Sequence, residues 1–383
     1  YLEFLKVKKL IFSKIKLKNK KNSNFENMIG VNYIQGHFLE NRNDLFWLRN
    51  SGIDTSSIII YFESKKNMER FLNKKQLFKE LKTLGVRYIK LWEWYNVKQV
   101  DFVENFLKDL DKIQPTDKIE LWLKNNSKIL FKKIQFWYSF FTDQNIKIHL
   151  NAHETGSSNI IRQMALTKAD GCSIGKLRSV PRKIQGDWFG YYPNNCFFVW
   201  GKDSAESMVM TQNHFENLII SGYPYSYNKE SQKTELISLK NKFEKKGVKF
   251  TLLLIDQVHE KNDNYKSQVV PSTEMLRFYE CFFNWLHSDN EIGIIVKTKY
   301  SDNLNTIPKI KNLLVKAKQT GRCQVVETFG KESKFYLPIT DFSVGISADM
   351  NTGLVQTAIY GSRALIYDYS NLKKLEKNLY DWG

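Results

Sequence analysis

Residues 341–368 read DFSVGISADMNTGLVQTAIYGSRALIYD. An apolar segment at 342–346 leads into a small polar turn at 347–353, and a short helical pattern ending at Gly361 precedes a second apolar segment at 364–367. This order predicts a strand, a turn, a helix and a strand. Because such a unit places backbone N–H groups and a helix N-terminus at the carboxyl end of a parallel sheet, the turn is a candidate site for a phosphate-bearing ligand. An ordinary βαβ unit with a polar turn is the alternative.

The composition is that of a two-domain globular protein with a large positive charge. With 383 residues, 42% of them hydrophobic, the chain is long enough for two sizeable cores. No run approaches the roughly 18–20 apolar residues that a membrane-spanning helix needs, which argues against an integral membrane protein. The net charge of +18 and the pI near 9.4 indicate an anionic partner, such as nucleic acid, lipid headgroups or a phosphorylated substrate. Since the lysines are dispersed, part of this charge reflects compositional bias and solvated surface.

The four cysteines, Cys172, Cys196, Cys281 and Cys323, are far apart in the sequence and form no CxxC pair. This spacing supports neither a disulfide framework nor a zinc site, and it favours a reducing, cytoplasmic environment. Cys196 and Cys281 lie in apolar runs, so both are predicted to be buried.

The two ends of the chain differ from the rest. Residues 1–22 carry eight lysines among leucines and isoleucines, and an anionic membrane surface is one candidate partner for this segment. A solvated tail or the edge of an upstream domain are the alternatives. Because the chain opens at Tyr1 rather than Met, we expect it to be a piece of a longer protein.

From Gly30 onward, apolar segments of strand length alternate with amphipathic stretches at helical spacing. The candidate strands of the first half are 31–35, 56–62, 87–92, 147–151, 195–200 and 217–221, with candidate helices at 68–84 and 102–112. After a break at Gly222, a charged helix at 228–246 opens a second series. Its further elements are a strand from Val248, a helix at 273–287, a strand at 292–297, a helix at 307–319 and a strand at 323–327.

This alternation predicts an α/β protein with two Rossmann-like domains that face each other across a cleft. The predicted divisions are a basic segment at 1–29, a first domain at 30–227 and a second domain at 228–383. We expect the second domain to be truncated at its end.

Four segments carry a resemblance to a known family: 197–202 with 219–224, 252–256, 294–299 and 341–368. Together they resemble the GT-B glycosyltransferases, in particular bacterial enzymes of surface-polysaccharide and capsule assembly. The resemblance implies an acceptor domain followed by a nucleotide-sugar donor domain. One departure is Gln356, which stands where these enzymes often have a glutamate that binds the donor ribose. An amide is a weaker acceptor than a carboxylate, so this contact is less well supported.

The candidate donor-binding residues follow strands of the second domain. Lys297 and Lys299 come after a strand and are placed to neutralise donor phosphates, although a solvated lysine pair is the alternative. The polar turn offers hydroxyl, amide and backbone N–H donors. The candidates are Lys297, Lys299, Ser347, Asn351, Thr352, Gly353, Gln356, Asp256 and His259.

The candidate catalytic residues follow strands of the first domain. Glu154 and His153 come after the strand at 147–151, and either side chain is suited to take the proton of an acceptor hydroxyl. His37 has a similar position after the first strand. Arg178 and Ser179 are candidate acceptor contacts. A helix cap or a surface loop is the alternative for these residues.

Two other patterns have ordinary structural explanations. The motif Asp109-Leu110-Asp111 matches a DxD metal signature, but it lies in an amphipathic helix and is interpreted as surface charge. Lysines and helix dipoles are sufficient to neutralise phosphate, so no metal is expected. The aromatic runs at 92–95 and 136–141 are interpreted as core, with stacking on bases or sugars as the alternative.

The leading hypothesis is a cytoplasmic glycosyltransferase, peripheral on the inner face of the cell membrane, that extends a surface glycan. Its expected substrates are a UDP- or CMP-type nucleotide-sugar and a glycan or lipid-linked glycan acceptor, with no other cofactor. One alternative is a transferase of polyol phosphate from a CDP-linked donor. A basic nucleic-acid-binding protein and a non-catalytic scaffold with the same fold are two further alternatives. The leading hypothesis expects no nucleic-acid partner.

Overall fold

The computed structural model describes residues 28–33, 52–65, 74–151, 157–177, 191–211, 213–223, 233–257, 270–298, 304–305, 307–327, 344–348, 351–359 and 361–367. The chain divides into two compact units, Tyr1–Pro224 and Tyr225–Gly383. Each unit has its own parallel sheet with helices on both faces, which confirms the predicted α/β class. The predicted cleft between the two units stays a prediction.

The first unit contains a seven-stranded sheet in the order β3-β2-β1-β4-β5-β6-β7, and every described strand pair in it is parallel. The strands are β1 Met28–Asn32, β2 Ile58–Phe62, β3 Arg87–Lys90, β4 Ile146–Asn151, β5 Cys172–Lys176, β6 Cys196–Val199 and β7 Asn217–Ile220. The helices are α1 Lys74–Thr83, α2 Asp101–Lys112, α3 Lys118–Asp143, α4 Ser157–Lys168 and α5 Lys202–Met210.

The second unit contains a five-stranded parallel sheet in the order β10-β9-β8-β11-β12. Its strands are β8 Phe250–Ile255, β9 Ile292–Thr298, β10 Cys323–Glu327, β11 Val344–Ser347 and β12 Arg363–Ile366. Its helices are α6 Lys233–Glu244, α7 Ser272–Ser288, α8 Pro308–Gln319 and α9 Thr352–Ile359. In both sheets the strand order reverses beside the first strand, as in a Rossmann fold.

The strands are continuous apolar runs because both faces of each sheet are covered. All five residues of β2, Ile-Ile-Ile-Tyr-Phe, are buried. Ile58 and Ile60 pack toward the core that includes Leu81 of α1, whereas Ile59 packs toward the core that includes Trp137 of α3. This alternation between two cores requires helices on both faces of the sheet.

Helix α7 shows how the second sheet is covered. Its buried residues recur at intervals of three and four, which places them on one face of a helix: Met275, Phe278, Tyr279, Phe282, Phe283 and Leu286. They join the core formed with β8 and β9. Each such side chain contributes about 1.5–3 kcal/mol of hydrophobic stabilisation when fully buried.

Several sequence-based expectations need correction. The first strand begins at Met28 rather than residue 31, because Met28 pairs with Ile146 of β4. Strand β5 was not predicted, and neither was the 26-residue helix α3. Cys281 is exposed, because it lies on the side of α7 opposite the buried residues, whereas Cys196 is buried as predicted. No helix among the described residues has both the length and the apolar character needed to span a bilayer.

Candidate functional site

The strongest candidate site lies at the carboxyl edge of the second sheet, where the strand order reverses between β8 and β11. Strands β9, β8 and β11 end side by side, since Ile255 pairs with both Lys297 and Ser347. The polar residues that follow or close these strands therefore come together at one edge. Ligands of open α/β sheets bind at such a position.

On one face of the sheet, the edge is organised around Ser347. The side-chain amide of Asn351 donates to the Ser347 hydroxyl at 2.6 Å, and Gln257 donates to the same oxygen at 3.3 Å. The Asn351 carbonyl oxygen also accepts from the backbone N–H of Leu354 at 2.9 Å. Asn351 thus caps the N-terminus of α9 and ties it to β11, which orients the positive end of the helix dipole toward the edge.

On the same face, Lys297 reaches over β8 to α9. Its ammonium donates to the side-chain carbonyl oxygen of Gln356 at 3.4 Å. The two residues are only 8% and 1% exposed. An ammonium is costly to bury without polar partners. Lys297 therefore places a positive charge at the end of β9 despite an energetic cost. Gln356, predicted to contact a ribose, contacts this lysine.

On the other face, Asp256 joins the strand ends to α7. Its carboxylate accepts from the Tyr279 hydroxyl at 2.6 Å and from the Thr298 hydroxyl at 3.1 Å. Burial, and secondarily the negative charge of Asp256, holds the pKa of Tyr279 well above its usual value. Asp256 therefore links the ends of β8 and β9 to α7, and its predicted contact with the donor stays a prediction.

Gly353 allows α9 to approach β8 closely. A Cβ atom at this position would lie 3.0 Å from Cγ2 of Ile255 and 3.1 Å from the capping oxygen of Asn351. A larger side chain would push the first turn of α9 away from the edge. The glycine in this turn is thus explained by helix–strand packing, as in dinucleotide-binding folds. The neighbouring Thr352 is half-buried at the start of α9.

The remaining predicted site residues lie outside the described residues: Lys299, His259, His37, His153, Glu154, Arg178 and Ser179. The structure thus brings together Asp256, Lys297, Ser347, Asn351, Thr352, Gly353 and Gln356 in the second unit. The catalytic and acceptor-binding assignments in the first unit stay predictions.

A second polar cluster, missed by the sequence analysis, lies at the carboxyl edge of the first sheet. Arg162 of α4 is buried, forms an ion pair with Glu63 and donates to Asn159. Asn32, the last residue of β1, donates to Glu63 at 2.7 Å. Within the part of the chain that the structure describes, the Asn32 side-chain oxygen and Nε of Arg162 have no hydrogen-bond partner. Polar residues that end apolar runs are the signal that could have located this cluster.

Two buried side chains of the first sheet, Tyr61 of β2 and His149 of β4, contact each other. The Tyr61 hydroxyl lies 2.7 Å from Nε2 of His149, and both side chains are buried. Burial raises the pKa of Tyr61, and burial together with the positive charge of Arg162 lowers the pKa of His149 well below its usual value. His149 is therefore neutral near pH 7.

The DxD sequence is surface charge, as predicted. Asp109 forms an ion pair with Lys112 at 2.8 Å and Asp111 with Lys128 at 2.5 Å, both on exposed positions around α2. Leu110 between them is buried. Among the described residues, no group of three or more histidines, cysteines or acidic residues is placed to hold a metal ion.

The aromatic run at 136–141 is core, as predicted. Trp137, Phe140 and Phe141 are buried against β2 and β4. In the other run, Trp94 is buried, but Tyr95 is exposed.

The fold and the site define an α/β protein with two Rossmann-like sheets and a polar, positively charged edge on the second. No family model matches the sequence, and no curated protein is similar to it in sequence. One similar solved structure is MnaA from S. aureus with UDP, at 10% identity and a TM-score of 0.46, covering 90% of this chain and 80% of MnaA.

Two further structures show a comparable degree of similarity. UDP-GlcNAc 2-epimerase from Neisseria meningitidis, bound to UDP-GlcNAc, is 9% identical with a TM-score of 0.44, covering 84% of this chain and 77% of the epimerase. A glycosyltransferase from Rickettsia africae is 8% identical with a TM-score of 0.44, covering 88% of this chain and 78% of that enzyme.

Proposed function

We propose that this chain is a GT-B-type glycosyltransferase whose second unit binds a nucleotide-activated sugar at the carboxyl edge of the five-stranded sheet. The observation that carries the proposal is the buried ammonium of Lys297, bonded to α9 at the point where the strand order reverses. A buried positive charge in this position suits an anionic ligand, and the capped N-terminus of α9 adds to the same field.

The reaction makes one main electrostatic demand. When the bond between the sugar and the nucleotide breaks, negative charge develops on the leaving phosphate. Lys297 and the α9 N-terminus are held in place by Gln356 and Asn351 before any substrate arrives, so stabilising that charge requires little reorganisation. This arrangement supplies the electrostatic contribution without a metal ion.

The acceptor half of the reaction is assigned to the first unit. In this proposal Glu154 or His153 takes the proton of the acceptor hydroxyl, His37 is the alternative base, and Arg178 and Ser179 contact the acceptor. The acceptor is a growing surface glycan, free or lipid-linked, and the enzyme works in the cytoplasm at the inner face of the membrane. The donor is of the UDP or CMP type.

A melting-temperature screen of the full chain against UDP, CMP, CDP, GDP and dTDP tests the proposal. A ligand that binds only the folded state adds about 2.7 kcal/mol of stability at a hundredfold excess over its dissociation constant. One nucleotide is expected to raise the melting temperature clearly above the others, and release of that nucleotide from its sugar conjugate in the presence of acceptor would follow. Absence of any nucleotide effect would reject a donor site.

The net charge of +18 is the observation that favours a second candidate, a nucleic-acid-binding protein. Retention on DNA or RNA that weakens steeply with salt, without stabilisation by any nucleotide, would favour this candidate. Stabilisation by cytidine nucleotides, together with transfer from a CDP-linked polyol and no sugar transfer, would favour a polyol-phosphate transferase. Nucleotide binding without turnover would leave a non-catalytic scaffold.

A further inference from the structure

Helix α3 extends well beyond the core of the first unit. Leu130 and Phe131 are its first residues that pack against the core, so the preceding part, 118–129, projects over ~18 Å. Along one side the helix packs on α2, through an ion pair of Lys128 with Asp111 in the projecting part and a stack of Phe131 on Phe106 at its base. The helix is therefore held in a defined orientation while its other side faces solvent.

The solvent side of this projection carries four large exposed apolar side chains, with the exposed Asn126 and Lys133 among them. Ile119, Trp122, Leu123 and Ile129 are 69%, 62%, 51% and 53% exposed. Their spacing of three, four and ten residues from Ile119 places them on one face of the helix, which we call the α3 apolar face. Single exposed apolar residues are ordinary, whereas several on one face of a helix are typical of a surface that contacts a partner.

The residues bordering this face are positively charged. Lys118, Lys132 and Lys133 are exposed, and the sequence contains no acidic residue between Leu121 and Thr142. The two acidic residues at the start of the helix serve its N-terminus: Asp117 accepts from backbone N–H groups of the first turn, and Glu120 accepts from Thr116. The apolar face thus has a cationic border.

We propose that the α3 apolar face docks on an anionic membrane surface. Tryptophan and aliphatic side chains bordered by lysines are the composition of helices that lie in the plane of a bilayer interface, with the apolar side chains inserted and the lysines at the headgroups. A second copy of the chain fits less well, because a twofold contact would bring one lysine-bordered face against another. The α3 apolar face belongs to the first unit, whereas the proposed donor site belongs to the second.

The test is co-sedimentation of the full chain with vesicles. Vesicles of phosphatidylcholine with ~30 mol% phosphatidylglycerol are expected to bind the protein, pure phosphatidylcholine is not, and added salt weakens the binding. The combined variant Ile119→Ser, Trp122→Ser, Ile129→Ser is expected to reduce the partition coefficient at least roughly a hundredfold, given about tenfold for each fully inserted side chain. Its melting temperature stays unchanged, since the three side chains are exposed.

A matched control replaces exposed apolar residues on other helices: Val209→Ser, Trp285→Ser and Val315→Ser. This control is expected to bind anionic vesicles like the original chain. Equal binding by the α3 variant and the original chain would overturn the proposal and assign the membrane contact elsewhere. Absence of binding to anionic vesicles would also overturn it, as would a concentration-dependent dimer that the α3 variant abolishes.

Discussion

Replacing Lys297 with methionine is the most direct test of the charge at the edge of the second sheet. The substitution keeps an unbranched side chain of similar length but removes the ammonium that donates to Gln356 at 3.4 Å. Lys297 is buried at the end of β9, so the substitution removes a charge from the interior of the second unit.

The effect on nucleotide binding follows from the strength of a charge-assisted contact. A hydrogen bond to a charged group contributes about 1.5–3 kcal/mol, which corresponds to a loss of affinity of roughly ten- to hundredfold. The effect on folding is smaller. The variant leaves the Gln356 oxygen without this donor, at a cost of about 1–3 kcal/mol, but it also removes the cost of burying an ammonium.

Isothermal titration with the nucleotide selected by the melting screen measures the affinity, and urea unfolding measures the stability. Lys316→Met is the matched control, because Lys316 is exposed on α8 and its loss is expected to change neither quantity. Undiminished nucleotide affinity in the Lys297 variant, with the control unchanged, would refute the role of this ammonium in donor binding.

Three further predictions concern the two sheets. Gly353→Ala is expected to cost about 1–3 kcal/mol of stability and to weaken nucleotide binding, because its Cβ crowds Ile255. Gly201→Ala, in open space at the N-cap of α5, is expected to lower the melting temperature slightly and to leave nucleotide binding unchanged. Arg162→Met is expected to lower the free energy of unfolding in urea by about 2–3 kcal/mol. This is less than the cost of breaking a fully buried ion pair, because Glu63 is partly exposed. A cost below that of removing Lys202, which forms an exposed ion pair, would contradict this prediction. Because the pKa of His149 is depressed, the unfolded chain binds a proton near pH 6.5 that the folded chain does not, so stability falls below that pH by up to about 1.4 kcal/mol per unit. His149→Phe is expected to flatten this decline, and an unchanged pH slope in the variant would show that His149 is not its source.

Local patterns were sufficient to locate most of the second unit. The strand Cys323–Glu327 was predicted to the residue, and α7, α8 and β9 to within one residue at each end. These elements combine apolar runs or helical spacing with clear breaks, so local propensity and burial agree.

Strand β5 shows where that approach fails. Its residues, Cys-Ser-Ile-Gly-Lys, have little intrinsic strand preference, yet all five are buried. Gly175 fits because a Cβ atom there would lie 2.7 Å from both Asn194 and Phe197. Packing against distant parts of the chain, rather than local propensity, makes this segment a strand.

By itself, the sequence determined the α/β class, the two series of strands and helices, and the polar turn after β11, because these depend on periodicity and residue type along a short stretch. Only the tertiary structure decided which polar residues meet: Lys297 with Gln356, Asp256 with Tyr279, and Arg162 with Glu63. Such contacts depend on strand order and on side-chain direction at each strand end, and both are set by packing between segments far apart in the chain.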